Sequence, residues 1–181
     1  MPIDEKTELL AQLAEARAAL LKTTSGLSDE QAGERPTASA LCLGGLIKHA
    51  ASTEAGWVRF IAGNPDRHDL PDGVTWADIA AGTAREFPQW MVDYQNDFRM
   101  LPGDTLTSVV QRYEEVARNT EEVVGGITDL SKAQPLPEAP WNEPGAVRSV
   151  RRVLMQLISE TAQHAGHADI LRESIDGQTS T

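Results

Sequence analysis

Four histidines are scattered along the chain, and two of them stand on a segment whose apolar residues keep a helical spacing. Val150, Leu154, Leu157, Thr161, His164, Ala168, Leu171 and Ile175 alternate steps of four and three, the seam along which a helix packs on its neighbours. His164 falls on that seam. Glu160 precedes it by four residues and His167 follows by three, so at about 100° per residue the three point within roughly 60° of one direction. Ionisable groups beside an apolar seam are costly unless something pairs them. One pairing is internal, a Glu to His contact at i,i+4. The other is a metal ion, for which two ligands one turn apart supply two corners of a coordination shell.

A metal reading needs a third ligand, and His49 is the candidate. It follows Leu46 by three residues, on the shoulder of a second apolar stripe formed by Leu43, Leu46, Ile47, Ala50, Trp57, Val58 and Ile61. Gly44 and Gly45 before it would let a neighbouring helix approach closely. With Glu160 and His164 it makes a His₂Glu set that leaves one position open, as catalytic rather than structural sites do. Glu54 lies in the middle of the same stripe and wants a partner: either the N–H of a ligand histidine or an arginine on a neighbouring helix. His68, in the polar stretch Asp66-Arg-His-Asp69, reads as solvated.

These positions must be held by helices. Only 5% of the 181 residues are aromatic, and alternating β-branched runs are absent, so the chain reads as all-α. Helices are expected from about Glu5 to Thr23, Ala38 to Ala62, Asp104 to Val124 and Ala146 to Ser174, with a short turn opened by Ser28 and one or two short helices capped by Thr75 or Thr83. The stretch 63–74 is a polar crossover, and the proline-rich stretch 134–145 suits neither helix nor central strand. Four long helices and two long connections predict a four-helix bundle with crossovers, a single domain over residues 1–181.

Composition narrows the partners. Sixteen Lys and Arg against 27 Asp and Glu leave a formal charge of −11 and a sequence pI near 4.7. That balance opposes the counterion release behind nucleic-acid affinity and disfavours anionic membrane surfaces. The first residues carry no apolar signal core, and no run approaches the roughly 18 apolar residues of a membrane span, so a cytoplasmic protein is expected. Cys42 is the sole cysteine, flanked by Leu41 and Leu43, which excludes an intrachain disulfide and reads as a buried small hydrophobe.

Two strings resemble the DinB-like superfamily of four-helix metalloproteins, which includes bacillithiol and mycothiol transferases. Leu46-Ile-Lys-His-Ala-Ala-Ser-Thr-Glu-Ala-Gly-Trp57 is similar to its second-helix motif, and Ser159-Glu-Thr-Ala-Gln-His-Ala-Gly-His-Ala-Asp-Ile-Leu-Arg-Glu173 to its last-helix motif. Much of the superfamily has two histidines four apart on the last helix. Glu160 at the first position resembles instead the mycothiol-dependent maleylpyruvate isomerase branch, which implies His49, Glu160 and His164 as metal ligands. His167 stands where many relatives have glutamine, as a pocket residue or alternative ligand, and Gln156 where close relatives often have histidine.

The resemblance implies a divalent metal, zinc or nickel, that activates a low-molecular-weight thiol such as mycothiol, either for S-transfer to an electrophilic substrate or for an isomerisation. A borrowed thiol fits a chain whose one cysteine is structural in character. Arg148, Arg151 and Arg152 cluster where the last helix begins, a place the macrodipole makes unfavourable for cations, and Arg148 and Arg152 are candidates to face an anionic cofactor or substrate. A plain surface cluster is the other reading. Two rival functions stay open: a non-catalytic metal-stabilised binding protein, with a homodimer among the expectations, and a metal-dependent hydrolase with His167 or Glu54 as base.

Overall fold

The computed structural model describes residues 4–179. Its elements are α1 (Glu5–Lys22), α2 (Asp29–Gly33), α3 (Leu43–Ile61), α4 (Trp76–Ala81), α5 (Gln89–Asp97), α6 (Leu106–Gly125), β1 (Ala133–Pro135), β2 (Val147–Ser149) and α7 (Val150–Asp176). The long helices α1, α3, α6 and α7 form the expected bundle: α1 lies along α7, α3 along α6, and α3 also meets α7. Their stripes close on two apolar clusters. One is built around Leu20, Leu46, Ile47, Tyr113 and Leu171, the other around Leu13, Ile61, Val124, Val153 and Leu157. No described helix is long and apolar enough to cross a membrane.

Local chemistry explains most boundaries. Ser28 and Thr75 cap α2 and α4 through reciprocal capping boxes with Gln31 and Asp78. Three boundaries differ from expectation. α3 begins at Leu43 rather than near Ala38, since the preceding residues run as bends after Arg35-Pro36. α6 is capped by Thr105, because the carboxylate of Asp104 is engaged by the Leu101 N–H (2.8 Å) and by Lys48 Nζ (2.5 Å). α7 begins at Val150 because residues 147–149 pair antiparallel with 133–135, Gln134 opposite Arg148. The chain is therefore not purely helical. A two-stranded ladder has no central strand, so it tolerates the proline at its edge.

The short α5 and the chain leaving it, residues 98–100, lie against α3, and the glycine pair permits the close contact with residues 98–100. A Cβ on Gly44 would run into the Met100 side chain, and one on Gly45 into the backbone of Phe98 and Arg99. Backbone cannot rotate away as a side chain can. Gly45→Ala should therefore destabilise the protein by about 1–3 kcal/mol through overpacking, despite a helix-propensity gain of about 1 kcal/mol. A urea midpoint equal to or above wild type would refute this close approach.

Candidate metal centre

His49, on the second turn of α3, is 4% exposed. Its Nε2 lies 3.5 Å from Glu160 Oε1, and the Nε2 of His164 lies 3.1 Å from the same oxygen. The i,i+4 spacing on α7 sets the second contact; the packing of α3 on α7 brings in His49 across 111 residues of sequence. Donor atoms of the three residues all lie within 4.8 Å of one another.

The site is roofed on one side by α5. Phe98 stacks on the His49 ring with centroids 4.1 Å apart and an interplanar angle of 24°, Tyr94 meets the ring edge-on at 5.6 Å, and His164 meets it edge-on at 5.0 Å. Thr53, one turn along α3, has Oγ1 3.5 Å from His49 Nε2. Burial holds the His49 imidazole below the ordinary histidine range, and the neighbouring His164 adds to this, while Glu160 opposes both. This direction favours the neutral ring, the form that ligates metals. Burial raises the Tyr94 phenol, with Glu160 and Asp97 contributing in the same direction.

Do these residues fit a cation? Donors held about 2.1 Å from one ion in a tetrahedral shell lie about 3.4 Å apart, close to the 3.1 and 3.5 Å that separate the two Nε2 atoms from Glu160. Both histidines turn Nε2 toward Glu160, and neither Nδ1 has a partner. Two nitrogens and one carboxylate form a donor set suited to zinc or nickel, among other first-row ions. Glu160 is 34% exposed at its side chain, so the group has a side open to solvent. The residues fit.

The other expected site residues lie elsewhere or play other parts. His167 is exposed; its ring centroid is 5.6 Å from that of His164, and it stands outside the group of three donors. Glu54 is 1% exposed and is not aimed at a ligand histidine: Arg17 of α1 donates to both its oxygens, at 3.0 and 2.5 Å, and the Thr120 hydroxyl of α6 donates to Oε1 at 2.5 Å. Of the two partners that the sequence left open for Glu54, the arginine is the one found, since α1 and α6 flank α3 at this level. His68 is not simply solvated either, for it packs edge-on against Trp90 and Trp141.

Arg148 stands in β2, not in α7. Its guanidinium lies 4.7 Å above the centroid of a Trp57 ring and donates to Gln156 Oε1 at 2.5 Å, one turn before Glu160. No carboxylate pairs with Arg148 among the described residues. Arg151 is bound by Glu5, as a plain surface cation would be, and Arg152 is exposed. The sequence reading missed Tyr94 and Phe98. The available signal was an aromatic residue every fourth position, Trp90, Tyr94 and Phe98, on one face of what became α5.

Comparison with known proteins agrees with this architecture. A conserved protein from Enterococcus faecalis has the same fold, with a TM-score of 0.67 at 14% identity, covering 98% of this chain and 100% of the other. No curated protein matches the chain. The family model of the mycothiol S-transferases matches residues 8–177, from the first helix through the last. With a DinB-like bundle and three residues able to hold a metal ion between α3 and α7, the chain belongs to the mycothiol S-transferase family.

Proposed function

We propose that this protein is a cytoplasmic mycothiol-dependent S-transferase whose reaction centre is formed by His49, Glu160 and His164. The observation that carries the reading is the convergence of two Nε2 atoms and one carboxylate oxygen at metal-ligand spacing on a solvent-accessible side of the bundle. A divalent cation held there, zinc or nickel, supplies Lewis acidity that makes a thiol ionise at neutral pH.

The protein's own residues do the remaining work. Burial favours the uncharged form of His49, and Phe98 fixes its ring plane by stacking. Glu160 brings a negative charge that offsets part of the cation's, and its partial exposure leaves room for the thiol. His167, exposed beside His164, is the pocket residue available to take up the thiol's proton. Arg148, whose charge is met among the described residues by an amide and an indole face, would receive with Arg152 an anionic group of the electrophile. Cys42 takes no part: it is buried at the start of α3, its Sγ 3.7 Å from the Phe98 carbonyl.

The test is a thiol screen on metal-reconstituted protein with monochlorobimane as acceptor. Mycothiol should be conjugated faster than in the absence of protein, and faster than cysteine or coenzyme A at equal concentration. Equal rates for all thiols, with and without protein, would favour the non-catalytic binding function.

A further inference from the structure

The chain has four Trp, two Tyr and three Phe, yet only Tyr113 and Phe60 among them lie in the buried core. Trp76, Trp90 and Trp141 gather instead outside the bundle, drawn from three separate stretches of chain. Their ring centroids are 5.2 Å apart for Trp76 and Trp141, 6.0 Å for Trp90 and Trp141, and 6.1 Å for Trp76 and Trp90. His68 sits edge-on to Trp90 and Trp141 at 4.8 and 5.6 Å, and the Trp90 indole N–H donates to the Asp69 carbonyl at 3.2 Å. The group is thus a built platform rather than loose loop side chains.

This platform stays open to water. Trp141 is 57% exposed and Tyr94 54%, among the most exposed large apolar side chains of the molecule. Trp90 and Tyr94 stand four apart on α5, about 6 Å along its axis, and Tyr94 touches His49. Trp141 packs on Trp90, and Tyr94 follows one turn along α5, so the three mark an aromatic row from the platform toward His49. Polar groups edge it: Gln89 with Asp93, and Arg67 with Asp69. Contiguous exposed aromatic surface with a polar rim marks a ligand subsite.

The surface calls for a ligand with apolar faces and hydrogen-bonding edges. A polyhydroxylated six-membered ring has both, since its C–H faces lie flat on an indole while its hydroxyls meet the rim. Mycothiol joins a cysteine-derived thiol to two such rings. We propose that Trp141, Trp90 and Tyr94 form the subsite for the ring body of mycothiol, holding it while the thiol reaches the His49–Glu160–His164 group. The inference rests on the mycothiol-dependent function proposed above.

S-Methylmycothiol, whose capped sulfur takes no part in transfer, separates binding from chemistry. Calorimetric titration of the metal-loaded protein should show binding, accompanied by a change in tryptophan emission. Trp141→Ala should raise Kd about tenfold, as expected for loss of one stacking partner. Trp141→Phe should restore most of the affinity, and Phe87→Ala, which removes another exposed aromatic (46%) outside the row, should bind as wild type. Because Trp141 is exposed, the alanine variant should keep the wild-type melting temperature, so a change in Kd reports the surface itself.

Unchanged affinity in both Trp141→Ala and Trp90→Ala would overturn the subsite, even if wild type conjugates mycothiol. Binding that depends on Trp141, in a protein that does not turn mycothiol over, would uphold the subsite and sink the transferase function. Absence of any binding by wild type would overturn the subsite.

Discussion

Glu54→Ala should lower the stability of the fold by about 3–5 kcal/mol, the usual cost of removing one partner from a buried ion pair. The carboxylate is 1% exposed and the Arg17 side chain 6%, and the substitution leaves Arg17 charged in a dry core, while the Thr120 hydroxyl keeps the Val116 carbonyl at 2.9 Å as its acceptor. Against a total of about 5–15 kcal/mol for an ordinary domain, this is a large fraction. Glu121, 3.5 Å from Arg17 and 56% exposed, can move inward and recover part of the loss, which places the expected value toward the lower end. The measurement is the urea midpoint, with Arg17→Met combined with Glu54→Leu as the comparison. The double variant removes both charges and should regain most of the stability.

Metal content per folded molecule decides what kind of residue Glu54 is. It should remain at the wild-type level in Glu54→Gln under conditions where that variant is fully folded. A marked fall would mean that Glu54 acts on His49 after all, through the helix turn that separates them.

The second large effect concerns the ligands themselves. His49→Ala, His164→Ala and Glu160→Gln should each weaken divalent-metal binding by more than about 100-fold, since loss of an outer-shell partner alone costs 10–100-fold. The carboxylate variant is the most informative. Glu160 Oε1 is the one atom that both Nε2 atoms approach, so without its charge a cation would be held by two neutral rings. Equilibrium competition with a chromophoric chelator gives the affinities, and His167→Ala should retain the metal because His167 stands apart from the donor group. Wild-type affinity in both His49→Ala and His164→Ala would remove the metal centre from the proposal. A loss confined to His167→Ala would relocate it.

Legibility in the sequence followed the range of the interaction. The stripes of α1, α3, α6 and α7, the caps at Ser28 and Thr75, and the alignment of Glu160 with His164 are all set within a turn or two of chain. Helical periodicity and capping preferences read them directly. The same local rules misplaced the starts of α6 and α7 wherever a distant partner competed. Asp104 is a good capping residue, but Lys48 occupies its carboxylate; residues 147–149 continue an amphipathic pattern, but the 133–135 strand claims their backbone.

The site divides along the same line. Sequence alone determined which residue types can ligate a metal and that two of them share a helix face. That His49 arrives at Glu160 from another helix was implied by motif resemblance, and the packing of α3 on α7 decides it. Tertiary structure alone decided that Glu54 turns to Arg17, that Arg148 lies over Trp57, that Tyr94 and Phe98 roof His49, and that Trp90 packs on Trp141. A buried polar or aromatic side chain takes the partner that the neighbouring helix happens to present at its level, and a helix rotated by one residue, about 100°, would present another.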